Sequence, residues 1–262
     1  MRYRDKVTIV TGGSKGIGAG CVRVFVEEGG SKVVFCSRNE VEGKAFEAEV
    51  NRKGPGSAVF VRADVAKMDD VRRVIDFTAG KFGRIDCLIN NAGWHPPHKP
   101  IDDFSIEDFQ SLLNLNLVSI FAACKFALPH LRKVKGNIIN MSSLVGIMGQ
   151  LQATTYVATK GGITAFTKAL AVDEAAHEVR VNSVSPGNIY TPLWQEAIDA
   201  SPDPAKTRAD GDAAQLLGRM GTIEESGQLC LFLAAEATFT TGVDHIQSGG
   251  AELAYGRKTR RG

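Results

Sequence analysis

The sequence predicts a doubly wound α/β fold, in which a seven-stranded parallel sheet carries helices on both faces. Short apolar runs alternate with longer amphipathic segments along the 262 residues. This alternation is typical of a parallel sheet that is covered on both sides. A glycine-rich turn also joins the first apolar run to a helical pattern, as in nucleotide-binding folds of this class. We find no linker-like tract, and therefore expect one domain over residues 1–262.

The strands are predicted from short runs rich in β-branched and apolar residues. The first, at 6–11, reads KVTIVT, and the helical spacing of Val22, Val24 and Phe25 follows it. Further strands are expected at 32–36, 58–62, 87–90, 137–141, 180–184 and 244–247, with helices between most of them. The motifs described below follow strands one, four, five and six, which predicts a site at the carboxyl ends of the strands.

The stretch 189–218 interrupts the alternation and contains the turn-prone Ser201-Pro202-Asp203-Pro204. A long insertion beside a site is commonly a substrate loop or a mobile lid. We expect that role here, and a variable surface excursion is the alternative.

Composition excludes several classes of protein. The formal net charge of +2 is small for a nucleic-acid binder, and the basic residues at 257–261 are expected to be a solvated end. Five scattered cysteines without a C-x-x-C pair indicate reduced thiols in a cytosolic protein. No apolar run approaches the roughly 20 residues that span a membrane, and no signal-peptide pattern precedes the first strand. We expect a cytoplasmic protein that binds neither nucleic acid nor membrane.

The turn after the first strand reads Gly12-Gly13-Ser14-Lys15-Gly16-Ile17-Gly18. Missing Cβ atoms let the backbone approach a pyrophosphate, and the N–H groups and dipole of the following helix favour its negative charge. Its spacing, G-x-x-x-G-x-G, differs from the G-x-G-x-x-G dinucleotide fingerprint. The strand, turn and helix together still predict a phosphate cradle.

Tyr156 and Lys160 lie four residues apart in a helical segment, with Ser143 upstream. Residues i and i+4 share a helix face, so the Lys160 ammonium is expected near the Tyr156 phenol. A nearby cation favours the phenolate and lowers the pKa of the tyrosine. The pattern predicts Tyr156 as a general acid/base, with Ser143 bound to the same substrate oxygen.

These motifs together resemble the short-chain dehydrogenase/reductase family over nearly the whole chain. The matching residues are T-G-x-x-x-G-x-G at 11–18, N-N-A-G at 90–93, Asn116, Ser143, Tyr156 with Lys160, and Pro186-Gly187. The resemblance implies a Rossmann-like fold, a nicotinamide cofactor and oxidation or reduction of a secondary alcohol or ketone. Within the family, several segments are similar to those of enzymes that act on 17-beta-hydroxysteroids or L-fucose.

The resemblance also implies residue roles. Asn116 would support a water-linked proton path, Lys160 would hold the nicotinamide ribose, and Asp64 would contact the adenine. The expected cofactor-binding residues are Gly12, Ser14, Lys15, Gly16, Ile17, Gly18, Ser37, Arg38, Asp64, Val65, Asn91, Ala92, Gly93, Tyr156, Lys160, Pro186, Gly187, Ile189 and Thr191. Members usually form dimers or tetramers through the two long helices that follow strands four and five, which correspond here to about 106–131 and 154–177. We therefore expect a homotetramer.

The end of the second strand favours NADP over NAD. NAD enzymes generally place a carboxylate there to bind the adenosine ribose. This chain has Ser37-Arg38 instead, and Lys15 and Arg38 are suitable cations for a 2′-phosphate. NAD remains the alternative, because the similar dehydrogenases are expected to use it.

His95, Gln150 and Trp194 lie in segments that border the substrate pocket in the resembled family, and Tyr255 is expected to reach a neighbouring site. With Ser143 and Tyr156 they form the expected substrate-binding set. His95 and His98 also have the H-x-x-H spacing of a metal pair, but the two prolines between them prevent a helix and no third ligand is evident, so no metal site is expected. The sequence leaves open which alcohol is the substrate. Alternative functions are a catalytically silent dinucleotide sensor, which would not need the acid/base set, or a reductase of other carbonyl compounds.

Overall fold

Seven parallel strands form the centre of the molecule. The computed structural model describes residues 1–253. The strands are β1 (Val7–Thr11), β2 (Lys32–Ser37), β3 (Ser57–Arg62), β4 (Cys87–Asn90), β5 (Asn137–Met141), β6 (Arg180–Pro186) and β7 (Asp244–Gln247). Their order across the sheet is β3-β2-β1-β4-β5-β6-β7, and every neighbouring pair is parallel. The predicted seven-stranded doubly wound sheet is confirmed.

Helices connect the strands and cover both faces. They are α1 (Gly16–Glu27), α2 (Glu40–Val50), α3 (Met68–Phe82), α4 (Ile106–Leu113), α5 (Ser119–Val134), α6 (Val145–Met148), α7 (Thr154–Glu174), α8 (Pro192–Asp199), α9 (Pro204–Ala213) and α10 (Ile223–Ala235). A π-helical turn, Asn114–Val118, joins α4 to α5, so that one continuous helix runs from Ile106 to Val134.

The stretch 189–218 forms two helices rather than an irregular loop. Pro202 lies in a bend, as the turn-prone segment indicated, but Pro204 stands at the first position of α9 and Pro192 at the first position of α8, where a missing N–H costs nothing. The side chains of Thr191 and Asp203 accept hydrogen bonds from the first turns of α8 and α9. Each helix therefore begins with a capping residue followed by proline, a strong start signal.

Alternate residues of the strands point to opposite faces of the sheet, which creates two apolar layers. Val10 and Phe35 pack in the layer that contains side chains of α1 and α10, whereas Ile9 and Val34 pack in the layer with α3 and α5. All four are buried. Burial on both faces explains why the strands read as continuous apolar runs.

Helices α1 and α10 touch backbone to backbone. A Cβ atom added at Gly20 would lie 2.1 Å from the Ile223 carbonyl oxygen, and one added at Gly227 would lie 2.6 Å from the Gly20 carbonyl oxygen. Only glycine allows so close an approach. This contact holds α1 in place, and with it the turn that precedes α1.

The continuous helix from Ile106 to Val134 has the length and mean hydropathy, 1.6, at which a helix can cross a membrane. This departs from the expectation that no segment approaches that length. Half of its apolar window is buried in the domain, where α5 packs against α3. Because a buried core helix of a globular domain meets the same two criteria, this finding is weak support for a membrane span.

Candidate active site

A cavity of about 410 Å³ opens at the carboxyl ends of the strands, between the neighbouring strands β1 and β4. The helices that follow these two strands, α1 and α5, pack on opposite faces of the sheet. This is the topological switch point, where folds of this class bind ligands. Most of the predicted site residues line it: Gly12, Ser14, Lys15, Gly16, Ile17, Ser37, Arg38, Asp64, Val65, Asn91, Ala92, Gly93, His95, Tyr156, Lys160, Pro186 and Thr191.

The glycine turn leaves open space above the start of α1. Gly12 and Gly16 have φ angles of +65° and +57°, which favour glycine, and a Cβ at Gly16 would meet only the Thr191 side chain. Gly18 has a different role from the one expected. It does not line the cavity, and its Cβ would lie 2.2 Å from the Gly12 carbonyl oxygen, so its lack of a side chain lets the helix pack against the turn.

Two other expected cofactor residues also lie away from the cavity wall. Gly187 packs against Ser248, whose Cα would be 3.0 Å from an added Cβ. Ile189 is buried and forms an isolated bridge with Gly221. Both shape the backbone that carries Pro186 and Thr191 to the cavity.

Hydrogen bonds tie the end of β1 to the end of β4. The Thr11 hydroxyl accepts from the backbone N–H groups of Asn91 and Ala92, at 3.0 and 3.1 Å. The Asn91 carboxamide in turn donates to the carbonyls of Thr11 and Gly12, at 3.0 and 3.1 Å. The glycine turn and the N-N-A-G segment are thereby held at a set separation across the mouth of the cavity.

Tyr156, Lys160 and Ser143 come together on the opposite wall. The Ser143 hydroxyl hydrogen-bonds the Tyr156 side chain. The Lys160 ammonium lies 5.6 Å from the centre of the Tyr156 ring and donates to the Met141 carbonyl at 2.8 Å. Tyr156 and Lys160 line the cavity. Ser143 lies behind the cavity wall, where it is hydrogen-bonded to Tyr156.

Asn116 is buried in the π-helical turn between α4 and α5. Its carboxamide accepts from the Trp94 N–H at 2.9 Å and donates to the Trp94 carbonyl at 3.0 Å and to the Thr159 hydroxyl at 3.2 Å. Single π-helical turns are frequent at functional sites, because the extra residue re-aims a side chain. Here Asn116 fixes the segment after β4 to α7.

His95 lies over the tyrosine on the substrate side. Its ring centre is 4.2 Å from that of Tyr156, and its Nε2 lies 3.0 Å from the Gln150 Oε1. The structure therefore brings His95 and Gln150 together beside Tyr156, as expected of residues that border a substrate pocket. Gln150 is exposed and reaches the cavity through His95.

A sequence profile described as "short chain dehydrogenase" matches residues 6–201. The chain belongs to the short-chain dehydrogenase family. It is 54% identical over 257 residues to L-fucose dehydrogenase of Bos taurus, covering 98% of this chain and 93% of that one. It is 38% identical over 251 residues to cyclopentanol dehydrogenase of Comamonas testosteroni, covering 95% and 98%. These matches identify a nicotinamide-dependent alcohol dehydrogenase.

A solved structure agrees with the fold. L-sorbose reductase from Gluconobacter frateurii, complexed with NADPH and L-sorbose, superposes with a TM-score of 0.92. It is 26% identical and covers 97% of this chain and 100% of that chain.

The electrostatics of this dehydrogenase site differ from the sequence expectation. Burial raises the pKa of Tyr156 to about 12, and the hydrogen bond from Ser143 only partly offsets it. Burial also lowers the pKa of Lys160 to about 8. The expectation that Lys160 lowers the tyrosine pKa is therefore wrong for the protein alone, because loss of solvent outweighs an ammonium that is itself directed at the Met141 carbonyl.

Trp194 is not part of the dehydrogenase cavity wall, contrary to expectation. Its ring packs over Gly211 of α9, where an added Cβ would lie 3.2 Å from the ring and 2.2 Å from the Met220 methyl group. Leu193 and Glu196, on the same helix, line the cavity instead. Trp194 therefore joins α8 to α9, and its neighbours face the substrate side.

Some lining residues were not predicted: Cys36, Ala63, Trp94, Leu115, Met141, Ser142, Pro192, Leu193 and Glu196. Several of them are direct neighbours of predicted residues, and strand-end position would have found Cys36 and Met141. Nothing in the sequence singles out Leu115. Tyr255 lies outside the described residues. Within residues 1–253, no cluster of three or more His, Cys, Asp or Glu side chains is placed to hold a metal ion.

Side chains on the two faces of α8 have different surroundings, so substitutions on the two faces should have different effects. Trp194→Ala should lower the free energy of unfolding by about 2–4 kcal/mol, because it removes a large ring between two helices. Leu193→Ala, at a residue that is 55% exposed, should change stability by less than about 0.5 kcal/mol and raise KM for the alcohol. Urea unfolding and steady-state kinetics measure both. Equal stability losses in the two variants would contradict this assignment of the helix faces.

Proposed function

We propose that this chain is an NADP(H)-dependent dehydrogenase that oxidises a secondary hydroxyl of a sugar of the L-fucose type, with Tyr156 as the general acid/base. The observation that carries the proposal is the position of Tyr156. It lies in the same cavity as the glycine turn, hydrogen-bonded to Ser143 and beside Lys160. A phosphate cradle and a proton-transfer group in one cavity are what hydride transfer to a dinucleotide requires.

The cavity fits the dinucleotide. Gly16 leaves room for a pyrophosphate, whereas Gly12 lets the turn pack against Ala92, whose Cα would lie 2.9 Å from an added Cβ. The N-terminus of α1, which has no side-chain cap, supplies N–H groups and a favourable dipole. A Cβ at Gly93 would lie 3.7 Å from the Lys160 ammonium, so this glycine keeps the lysine accessible to a ribose. A bound nicotinamide cofactor would supply the hydride acceptor for oxidation of the substrate carbon.

The protein's part is the proton. In oxidation, the Tyr156 phenolate takes the hydroxyl proton while Ser143 orients the same substrate oxygen. Lys160 binds the nicotinamide ribose, and Asn116 supports the path along which the proton leaves. Because burial disfavours the phenolate, with a Tyr156 pKa of about 12, oxidation is expected to speed up as pH rises and reduction as pH falls.

Three features support NADP(H). Ser37 ends β2 without a carboxylate, and it lines the cavity together with Arg38 and Lys15. Lys15 and Arg38 are exposed, and among residues 1–253 neither forms an ion pair. Both cations are therefore free to bind a 2′-phosphate. The solved reductase of similar fold is complexed with NADPH. NAD is the alternative.

The polar groups on the substrate side support a sugar. His95 and Glu196 line the cavity, and Gln150 lies behind His95. A sugar presents several hydroxyls that such groups can bind, and relatives that are 51–54% identical are named L-fucose dehydrogenases. The exposed apolar side chains of Trp94 and Leu193 also line the cavity and favour a 17-beta-hydroxysteroid as the second candidate.

We further propose a cytoplasmic homotetramer. Five buried free thiols suit a reducing compartment. Exposed apolar side chains on the two long helices, Val118, Phe121 and Val172, suit a subunit interface. Light scattering at micromolar concentration should give the tetramer mass, and a monomer would contradict the proposal.

Removing the Tyr156 hydroxyl tests the chemistry. Tyr156→Phe should lower kcat for L-fucose oxidation by about 10² to 10⁴ and leave cofactor affinity near the wild-type value. Cofactor reduction, measured with L-fucose and with a 17-beta-hydroxysteroid, separates the substrate candidates in the same assay. Near-normal turnover by the variant would rule out Tyr156 as the acid/base.

A carboxylate at the end of β2 tests the cofactor. Ser37→Asp should shift the ratio of kcat/KM toward NAD by about tenfold or more, because its charge repels a 2′-phosphate. Asn39→Asp is a matched control, since it adds the same charge nearby at the capping position of α2, where Asn39 accepts from Val41 and Glu42. The proposal fails if the wild type prefers NAD more than tenfold, or if both variants shift the ratio equally.

A further inference from the structure

His98 belongs to the cluster above Tyr156, although the proposed chemistry does not use it. Its Nε2 lies 3.4 Å from the Gln150 Nε2, and its ring stacks on His95 with centres 5.0 Å apart. The Gln150 carboxamide therefore bridges the Nε2 atoms of the two imidazoles, with its oxygen toward His95 and its nitrogen toward His98.

The outer nitrogen of each ring faces a backbone carbonyl. His95 Nδ1 lies 2.6 Å from the Pro96 oxygen, and His98 Nδ1 lies 3.1 Å from the Leu151 oxygen. A carbonyl oxygen only accepts, so both Nδ1 atoms must carry a hydrogen. The two Nε2 atoms are left to share the Gln150 carboxamide.

A carboxamide has one accepting and one donating end. The ring that faces the nitrogen accepts from it and stays neutral. The ring that faces the oxygen must donate as well, and then both of its nitrogens carry hydrogens. This holds whichever way the amide is turned. All of these hydrogen bonds form when the two histidines together carry one proton more than they would if both rings were neutral.

We propose that His98 is a positioning residue for the dehydrogenase reaction, which acts through Gln150 to place a shared proton, and its positive charge, on His95 beside Tyr156. In the structure the carboxamide oxygen faces His95, which is the orientation that this proposal requires. Turning the amide moves the charge outward to His98, which is exposed. The proposal rests on the role of Tyr156 as acid/base.

A charge on His95 matters because burial disfavours the Tyr156 phenolate. A cation 4.2 Å from the phenol ring stabilises that phenolate. The other ionisable side chains on the elements around the cluster, within the described residues, are Tyr156, Lys160, Lys168, Asp173 and Glu174 on α7, Glu196 and Asp199 on α8, and Lys99, Asp102, Asp103, Glu107 and Asp108 on the segment after His98. Lys99 is paired with Asp108 at 3.6 Å.

The loop that carries His98 does not need this side chain to hold it in place. The backbone already joins the two segments through the Lys99 N–H, which donates to the Gln152 carbonyl at 3.0 Å. The His98 side chain adds the contact with Gln150, in which the carboxamide nitrogen faces His98 and the oxygen faces His95.

The experiment compares pH profiles of kcat/KM for alcohol oxidation in His98→Ala and His98→Gln. The alanine frees Gln150 to turn its nitrogen toward His95, so the charge is lost and the rise in rate should move to higher pH by about one unit. The glutamine oxygen still accepts from Gln150, so its profile should stay near that of the wild type. Leu151→Ala, at an exposed neighbour, is the control for loop disturbance.

Two outcomes would overturn the inference: an unshifted profile in His98→Ala, or equal losses at every pH in both His98 variants. ¹⁵N NMR of labelled histidines gives an independent readout, since His95 resonances should change in His98→Ala and not in His98→Gln. If the wild type oxidises no secondary alcohol, or Tyr156→Phe stays active, the proposed function fails instead. The NMR comparison still tests the His98–Gln150–His95 coupling in that case.

Discussion

The hydrogen bonds between Thr11 and Asn91 are the constraint on which the site depends. The chain continues from the ends of β1 and β4 toward opposite faces of the sheet, which opens a crevice beyond their last ladder pair, Val10 with Ile89. The Thr11 hydroxyl and the Asn91 carboxamide set its width, because four hydrogen bonds join the two strand ends. The glycine turn on one side and the segment leading to His95 on the other are therefore held in a fixed position relative to each other.

Burial determines the charge states of the ionisable side chains in this site. It raises the pKa of Tyr156 and lowers that of Lys160, so both side chains are held toward their uncharged forms. A bound dinucleotide or an added cation must change this balance before proton transfer becomes easy. The cavity thus presents groups whose ionisation responds to what enters it, as is common at catalytic sites.

Much of the fold was predictable, because the strands are buried on both faces and therefore stand out as apolar runs. The motifs at the strand ends also located the site, since parallel strands bring their carboxyl ends together. Trp194 was misplaced because sequence does not tell which face of α8 meets α9. Gly18 and the Tyr156 pKa were misjudged for a related reason: close backbone packing and loss of solvent depend on three-dimensional neighbours. The long helix from Ile106 to Val134 was missed as an apolar segment because polar residues are interspersed in it.

The contact between Gly20 and Ile223 joins two helices that are far apart in the sequence, and this separation affects the order in which the structure can form. The glycine turn leaves the ribosome long before α10, yet the helix that follows the turn is held in place by α10, some 200 residues later in the sequence. A contact so distant in sequence forms late in folding. During synthesis, α1 and the glycine turn before it therefore lack this support until α10 has emerged.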